Sequence, residues 1–254
     1  MSVSDAFVAR VGIVPSRLTA MTIVGRAVVA GVAGGLLTAL FVVLVGEQSI
    51  EAAIALEEAS TSAVDDATEV SRQVQVAGGA LAVVLYGVLT GVVFGTVLAA
   101  VRHRLPAADD FRRSVLLAAV GFAAVALLPA VKYPANPPAV GDPDTITERT
   151  VAYLTLVAAG LVVAAGCALL HRRLRDRFDQ PTAATLATVG ASVAVVALLI
   201  LWPASPDRVP AGFPGDLLWR FRLQSLTSLA IQWATLGLGT GWLLTRTAAP
   251  PHPA

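Results

Sequence analysis

Long apolar runs broken by short polar stretches set the plan of this chain. Six stretches are long and apolar enough to cross a hydrocarbon core, which takes about 20 helical residues. They lie at about residues 23–45, 77–101, 114–131, 151–170, 183–202 and 223–244. The pattern predicts an all-α, polytopic membrane bundle of about six transmembrane helices, forming one membrane domain over residues 1–254. Its polar parts are an N-terminal segment at 1–22, an acidic loop at 46–76, proline-rich loops at 132–149 and 203–216, and a tail at 245–254. The run starting near Ile23 is too long for the apolar part of a signal peptide. It ends in Gly46-Glu47 rather than in a small-residue cleavage site, so a removable leader is not expected.

Composition agrees with the pattern. Of the 254 residues 56% are hydrophobic and only 14% charged, against about 25% charged in soluble domains. The net charge of +1 says little; its distribution says more. Twelve of the 18 Lys and Arg residues flank one set of span ends: Arg10, Arg17 and Arg26, then residues 102–113 and 172–177, and finally Arg246. By the positive-inside rule both termini are cytoplasmic, which an even number of spans satisfies. Twelve of the 17 acidic residues fall on the other, external side. Insertion does not require that excess, and it would concentrate cations there. Solvation of an external loop explains it equally well.

Small residues mark where helices meet. Gly31-x-x-x-Gly35, Gly87-x-x-x-Gly91-x-x-x-Gly95 and Gly237-x-x-x-Gly241 are rows that let backbones approach closely within a bilayer. No internal repeat relates the two halves, so an inverted-repeat transporter architecture is not indicated.

The polar connections hold the candidate chemistry. In the acidic loop Glu47, Glu51 and Glu58 share a helical face, and Glu57 adjoins them. Carboxylates so spaced repel, and a hard or borderline divalent cation would relieve that. Residues 60–75 read as a flexible loop. Lys132 to Thr145 contains four prolines in fourteen residues, so neither helix interior nor central strand is open to it. Lys132, Tyr133, Pro134, Pro137 and Pro138 give it a stiff, extended course that leaves carbonyls unpaired. Asn136, Asp142 and Asp144 are its candidate metal ligands; capping the next helix is the plainer role for both aspartates. Thr145-Ile146-Thr147-Glu148 matches a capping box. The last loop repeats the design and leads through Pro214 into Trp219, Arg220 and Arg222. Arginines at that depth need partners, for which Asp142, Asp144 and Glu148 are in reach. Trp202 and Trp219 suit an interfacial belt.

No catalytic motif is present. His103, His171 and His252 are dispersed, Cys167 is alone in an apolar run, and no phosphate loop, nucleophile elbow or His-x-x-x-His occurs. The chain is not expected to be an enzyme, to hold a permanent cofactor or to bind nucleic acid.

The residues resemble one family closely. Gly46-Glu47 with Ala53-Ile54-Ala55-Leu56-Glu57-Glu58-Ala59, the stretch Lys132 to Pro143, Arg149 with Tyr153, and Phe213-Pro214 with Leu217-Leu218-Trp219-Arg220-Phe221-Arg222 are similar to the CbtA family, proposed cobalt-transporter subunits of prokaryotic plasma membranes. The likeness spans about residues 25–244. It implies cobalt(II) as the transported ion, a supply line to cobalamin synthesis, and a small single-span, His-bearing partner of the CbtB type; it leaves room for a homo-oligomer. One departure stands out. Many relatives carry a His-rich stretch in the first loop, where this chain has Asp65, Asp66 and Glu69.

The leading expectation is therefore a permease subunit. Glu47, Glu57 and Glu58 collect a divalent cation, and Asn136, Asp142 and Asp144 form a rim braced by Arg149, Arg220 and Arg222. Its rivals are a non-transporting membrane scaffold or assembly subunit and a carrier of another solute such as nickel.

Overall fold

The computed structural model describes residues 18–60, 71–138, 140–141, 143–205 and 207–248. Asp142, Asp65, Asp66 and Glu69 lie outside them. No strand occurs among the described residues, and five helical runs are long and apolar enough to cross a membrane. The protein is an all-helical membrane protein.

Helix α1, Ala20–Phe41, starts after Thr19, an extended residue whose hydroxyl accepts from the Thr22 N–H at 3.2 Å. Its glycine row faces that of α3, Arg72–Val101. A Cβ on Gly91 would lie 2.7 Å from the Ala27 carbonyl oxygen, and one on Gly95 2.7 Å from the Val24 Cα. Only hydrogen fits there, so the glycines set how closely the two backbones approach.

The first helix does not stop near Val45. A π turn, Val42–Gly46, carries it into α2, Glu47–Ser60, giving one 40-residue run from Ala20 to Ala59. At 1.5 Å per residue that is about 60 Å, twice the hydrocarbon thickness. The loop expected from residue 46 is thus helical to Ser60, and its far end is helical again from Arg72. The reason lies in composition: Glu, Ala and Leu are strong helix formers, and Ala53 is fully buried.

Helix α4, Asp110–Gly121, is capped by Asp109, whose carboxylate accepts from the Arg112 N–H at 2.8 Å. A π turn, Phe122–Leu127, and α5, Leu128–Lys132, complete that span. Pro129 explains the irregularity. It has no N–H to offer the Val125 carbonyl one turn back, and the Tyr153 hydroxyl of α6, Ile146–Arg175, donates there instead at 3.4 Å. Helix α7, Gln180–Leu201, packs on α6; α8, Gly215–Ala248, ends the described chain.

Side by side the helices run α3, α1, α8, α4–α5, α6, α7. Ile23, Ala27, Phe94, Leu98, Leu236 and Leu244 close a core between α1, α3 and α8. On the far side of α8 a Cβ on Gly241 would lie 2.8 Å from Phe111. Helix α8 is therefore walled by protein on two sides. This accounts for its composition: Gln224, Ser228, Gln232 and Thr240 interrupt its apolar residues, whereas α7 shows Val193, Ile200 and Leu201 outward. The sixth stretch expected from the sequence falls on it, but it is not among the five runs apolar enough to cross a membrane; its polar residues meet helices on two sides.

Candidate functional site

At the end of the bundle where α5, α7 and the start of α8 meet, the two proline-rich segments are stitched together. The stitches follow from proline chemistry. Pro203 has no N–H, which strips the Leu199 carbonyl of its helical partner; the Lys132 ammonium donates to it at 2.9 Å. The Tyr133 hydroxyl donates to the Pro203 carbonyl at 2.7 Å. Burial pushes that phenol above its ordinary pKa, so it stays a donor. Trp202 donates its indole N–H to the Ala152 carbonyl at 3.4 Å.

Asp207 is the hub of this region. Its side chain is only 9% exposed and accepts from Arg149 at 2.9 Å, Asn136 at 3.1 Å and Thr145 at 3.3 Å. Charge-assisted bonds of this kind are the strong ones. Asn136 passes the connection on: its carbonyl oxygen accepts from Arg222 at 2.9 Å. One carboxylate and one amide thereby tie the segment after α5, the head of α6, the segment after α7 and the second turn of α8. Gly141 sits against the clamp at φ +120°, and a Cβ there would meet the Arg149 guanidinium at 3.0 Å. Glycine alone satisfies both conditions.

Beneath the clamp lies a cavity of about 710 Å³, lined by Tyr133, Asn136, Arg149, Asp207, Trp219 and Arg222 among others. That is the size of a small-ligand site. Asn136, Arg149, Asp207 and Arg222 in its wall are bonded to one another, yet two donors are left over. The Nε–H groups of Arg149 and Arg222 are buried without an acceptor among the described residues. Two guanidiniums face one carboxylate, so the walls are net positive there. A bare cation finds ligands here only if the clamp opens and frees the oxygens of Asp207 and Asn136.

The residues singled out from sequence divide into groups. Lys132, Tyr133, Pro134, Asn136, Arg149, Trp219 and Arg222 gather at or beside the cavity, with Pro137 buried next to it and Pro138 in the adjoining turn. Arg220 does not join them; it is exposed and pairs with Asp216 at 3.7 Å. Arg222 meets the neutral Asn136 and not the expected Asp144 or Glu148, which are exposed. Thr145 makes no side-chain cap bond, so the expected capping box does not form; its hydroxyl turns to Asp207. Glu47 is ion-paired with Arg72. Glu57 and Glu58 are exposed on α2, about 15 Å further along it. Among the described residues no three His, Cys, Asp or Glu side chains converge as a metal site. Asp207 was missed as a site residue. Its sequence signal is slight: an acidic residue after Ser205-Pro206, beside proline clusters that claim the attention.

No curated protein and no solved structure matches this chain. A family model does, over residues 20–245, described as a probable cobalt transporter subunit, and on that match the chain belongs to the CbtA family.

Proposed function

We propose that this chain is the permease subunit that brings cobalt(II) into a prokaryotic cell across its plasma membrane, feeding cobalamin synthesis alongside a small single-span, His-bearing partner. The observation that carries the reading is the Asp207 clamp. It joins four chain segments over a cavity between helices, in a family of transporter subunits. Six crossings put both termini in the cytoplasm and the clamp outside. Glu47, Glu57 and Glu58 on the extended helix gather the cation, and Asp142 and Asp144 receive it at the rim. Asn136 and Asp207 act as a latch, with Lys132, Tyr133 and the prolines holding its frame. The His-free first loop leaves imidazole, a favoured ligand for such metals, to the partner.

The test is cobalt accumulation by cells expressing the chain with its partner. Asp142→Ala and Asp207→Asn should each cut accumulation to about a tenth or less while membrane levels hold. Normal accumulation by both variants would remove the clamp and its rim from the mechanism. A nickel carrier would show itself by nickel outcompeting cobalt in the same cells.

A further inference from the structure

Among the described residues, three side-chain oxygens of α8, Gln224 Oε1, Gln232 Oε1 and Thr240 Oγ1, are buried without a hydrogen-bond partner, as is Ser49 Oγ on α2; Arg222 and Trp233 of the same helix leave buried N–H groups unpartnered. A few such atoms occur in any protein, and each needs a reason. Here three follow one ridge of α8 at multiples of four residues, the spacing that winds along a neighbouring helix.

For Gln224 and Gln232 that neighbour is α1 and its continuation. Gln224 donates to the Val45 carbonyl at 3.0 Å, and Thr38 donates to the Ser228 carbonyl at 3.4 Å. Gln232 reaches Gly31 at 3.5 Å and Thr90 of α3 at 3.2 Å. From Gln224 to Thr240 the ridge rises about 24 Å, most of a hydrocarbon core. Gln232 is its midpoint. It is 1% exposed, and its free oxygen faces Gly34, where even a Cβ would stand 3.0 Å away. Gly34 leaves room for that oxygen, while the amide nitrogen is held by the Gly31 carbonyl and the Thr90 hydroxyl. Below it Phe94, Leu98 and Leu236 close the seam with apolar groups, an arrangement that blocks ions by excluding water.

We propose that the transported cation crosses along the seam of α1, α3 and α8, and that Gln232 is its binding residue at mid-membrane. The inference rests on the transport reading above and places the path beside, not through, the arginine-walled cavity. Neutral oxygens suit this task, since they replace hydration without trapping the ion as a carboxylate would.

The experiment is uptake of cobalt(II) by cells expressing the full chain with its partner, paired with thermal unfolding of the purified chain. Gln232→Leu should lower uptake about tenfold or more, yet shift the unfolding temperature little, because removing the unpartnered oxygen offsets the loss of the amide's bonds to Gly31 and Thr90. Thr240→Val serves as a second lesion in the ridge with the same expected loss. If the wild type takes up cobalt and both Gln232→Leu and Thr240→Val match it, the path is overturned and the transport reading stands. If Gln232→Leu loses uptake only in step with its fold while Thr240→Val is normal, the ridge is mere packing and the proposal also falls. A wild type that moves no cobalt removes both.

Discussion

Deleting the Asp207 carboxylate takes the acceptor from three donors at once, one of them the Arg149 guanidinium. Asp207→Ala should cost about 2–3 kcal/mol, less than a fully buried pair because Arg149 is 31% exposed and water moderates its loss. Thermal unfolding in detergent would show it, with Asp207→Asn losing less because it still accepts. Gly141→Ala combines a left-handed φ with a clash against that guanidinium and should cost about 1–3 kcal/mol in the same assay. At this scale the sequence was only half legible. The arginines announced a need for partners, and Arg149, Asn136 and Arg222 were picked out. Their hub was not, because nothing local distinguishes Asp207 from a solvated loop aspartate. Its role arises only when the loop after α7 folds back onto the one after α5.

Between elements, the glycines divide into those that touch backbone and those that do not. Gly91→Val should force α1 and α3 apart and abolish accumulation of folded protein in the membrane, since its Cβ alone would lie 3.0 Å from the Val28 Cα. Gly166→Ala in α6 meets nothing within 4 Å and should leave stability within about 1 kcal/mol of the wild type. Comparing the two by size-exclusion profile and melting temperature separates packing from propensity. The glycine rows could be read directly from spacing, because a four-residue repeat of a residue without a side chain has few other uses in a bilayer. The continuation of the first helix through Glu47–Ser60 could not be read as surely. Its carboxylates look like loop to a hydropathy pattern, while its alanines, leucine and glutamates favour helix, and here the helix propensity prevails. Pro129 likewise hid its consequence: the π turn before it and the bond from Tyr153 depend on which helix lies alongside.

For the whole molecule, alternation of the helices puts the clamp and the arginine clusters at opposite ends. Arg102 and Arg113 flank Asp110 at 3.3 and 3.0 Å, and Arg172 donates to the Arg104 carbonyl at 3.0 Å. With Cys167→Ser as background, Ala211→Cys should react with a membrane-impermeant thiol reagent on intact cells, and Ala108→Cys only after permeabilisation. The reverse pattern would invert the topology. Composition was enough to foresee the helical membrane class, and charge asymmetry supplied the expected orientation; which helix lies at the centre was not readable, because hydropathy does not tell a helix that faces protein from one that faces lipid. The most direct test of the transport account is radiocobalt uptake into liposomes containing the purified chain and the proposed single-span partner. The account expects cobalt(II) to accumulate well above protein-free liposomes and to fall to that level with Gln232→Leu. Uptake no greater than in protein-free liposomes, with both proteins folded and inserted, would contradict it.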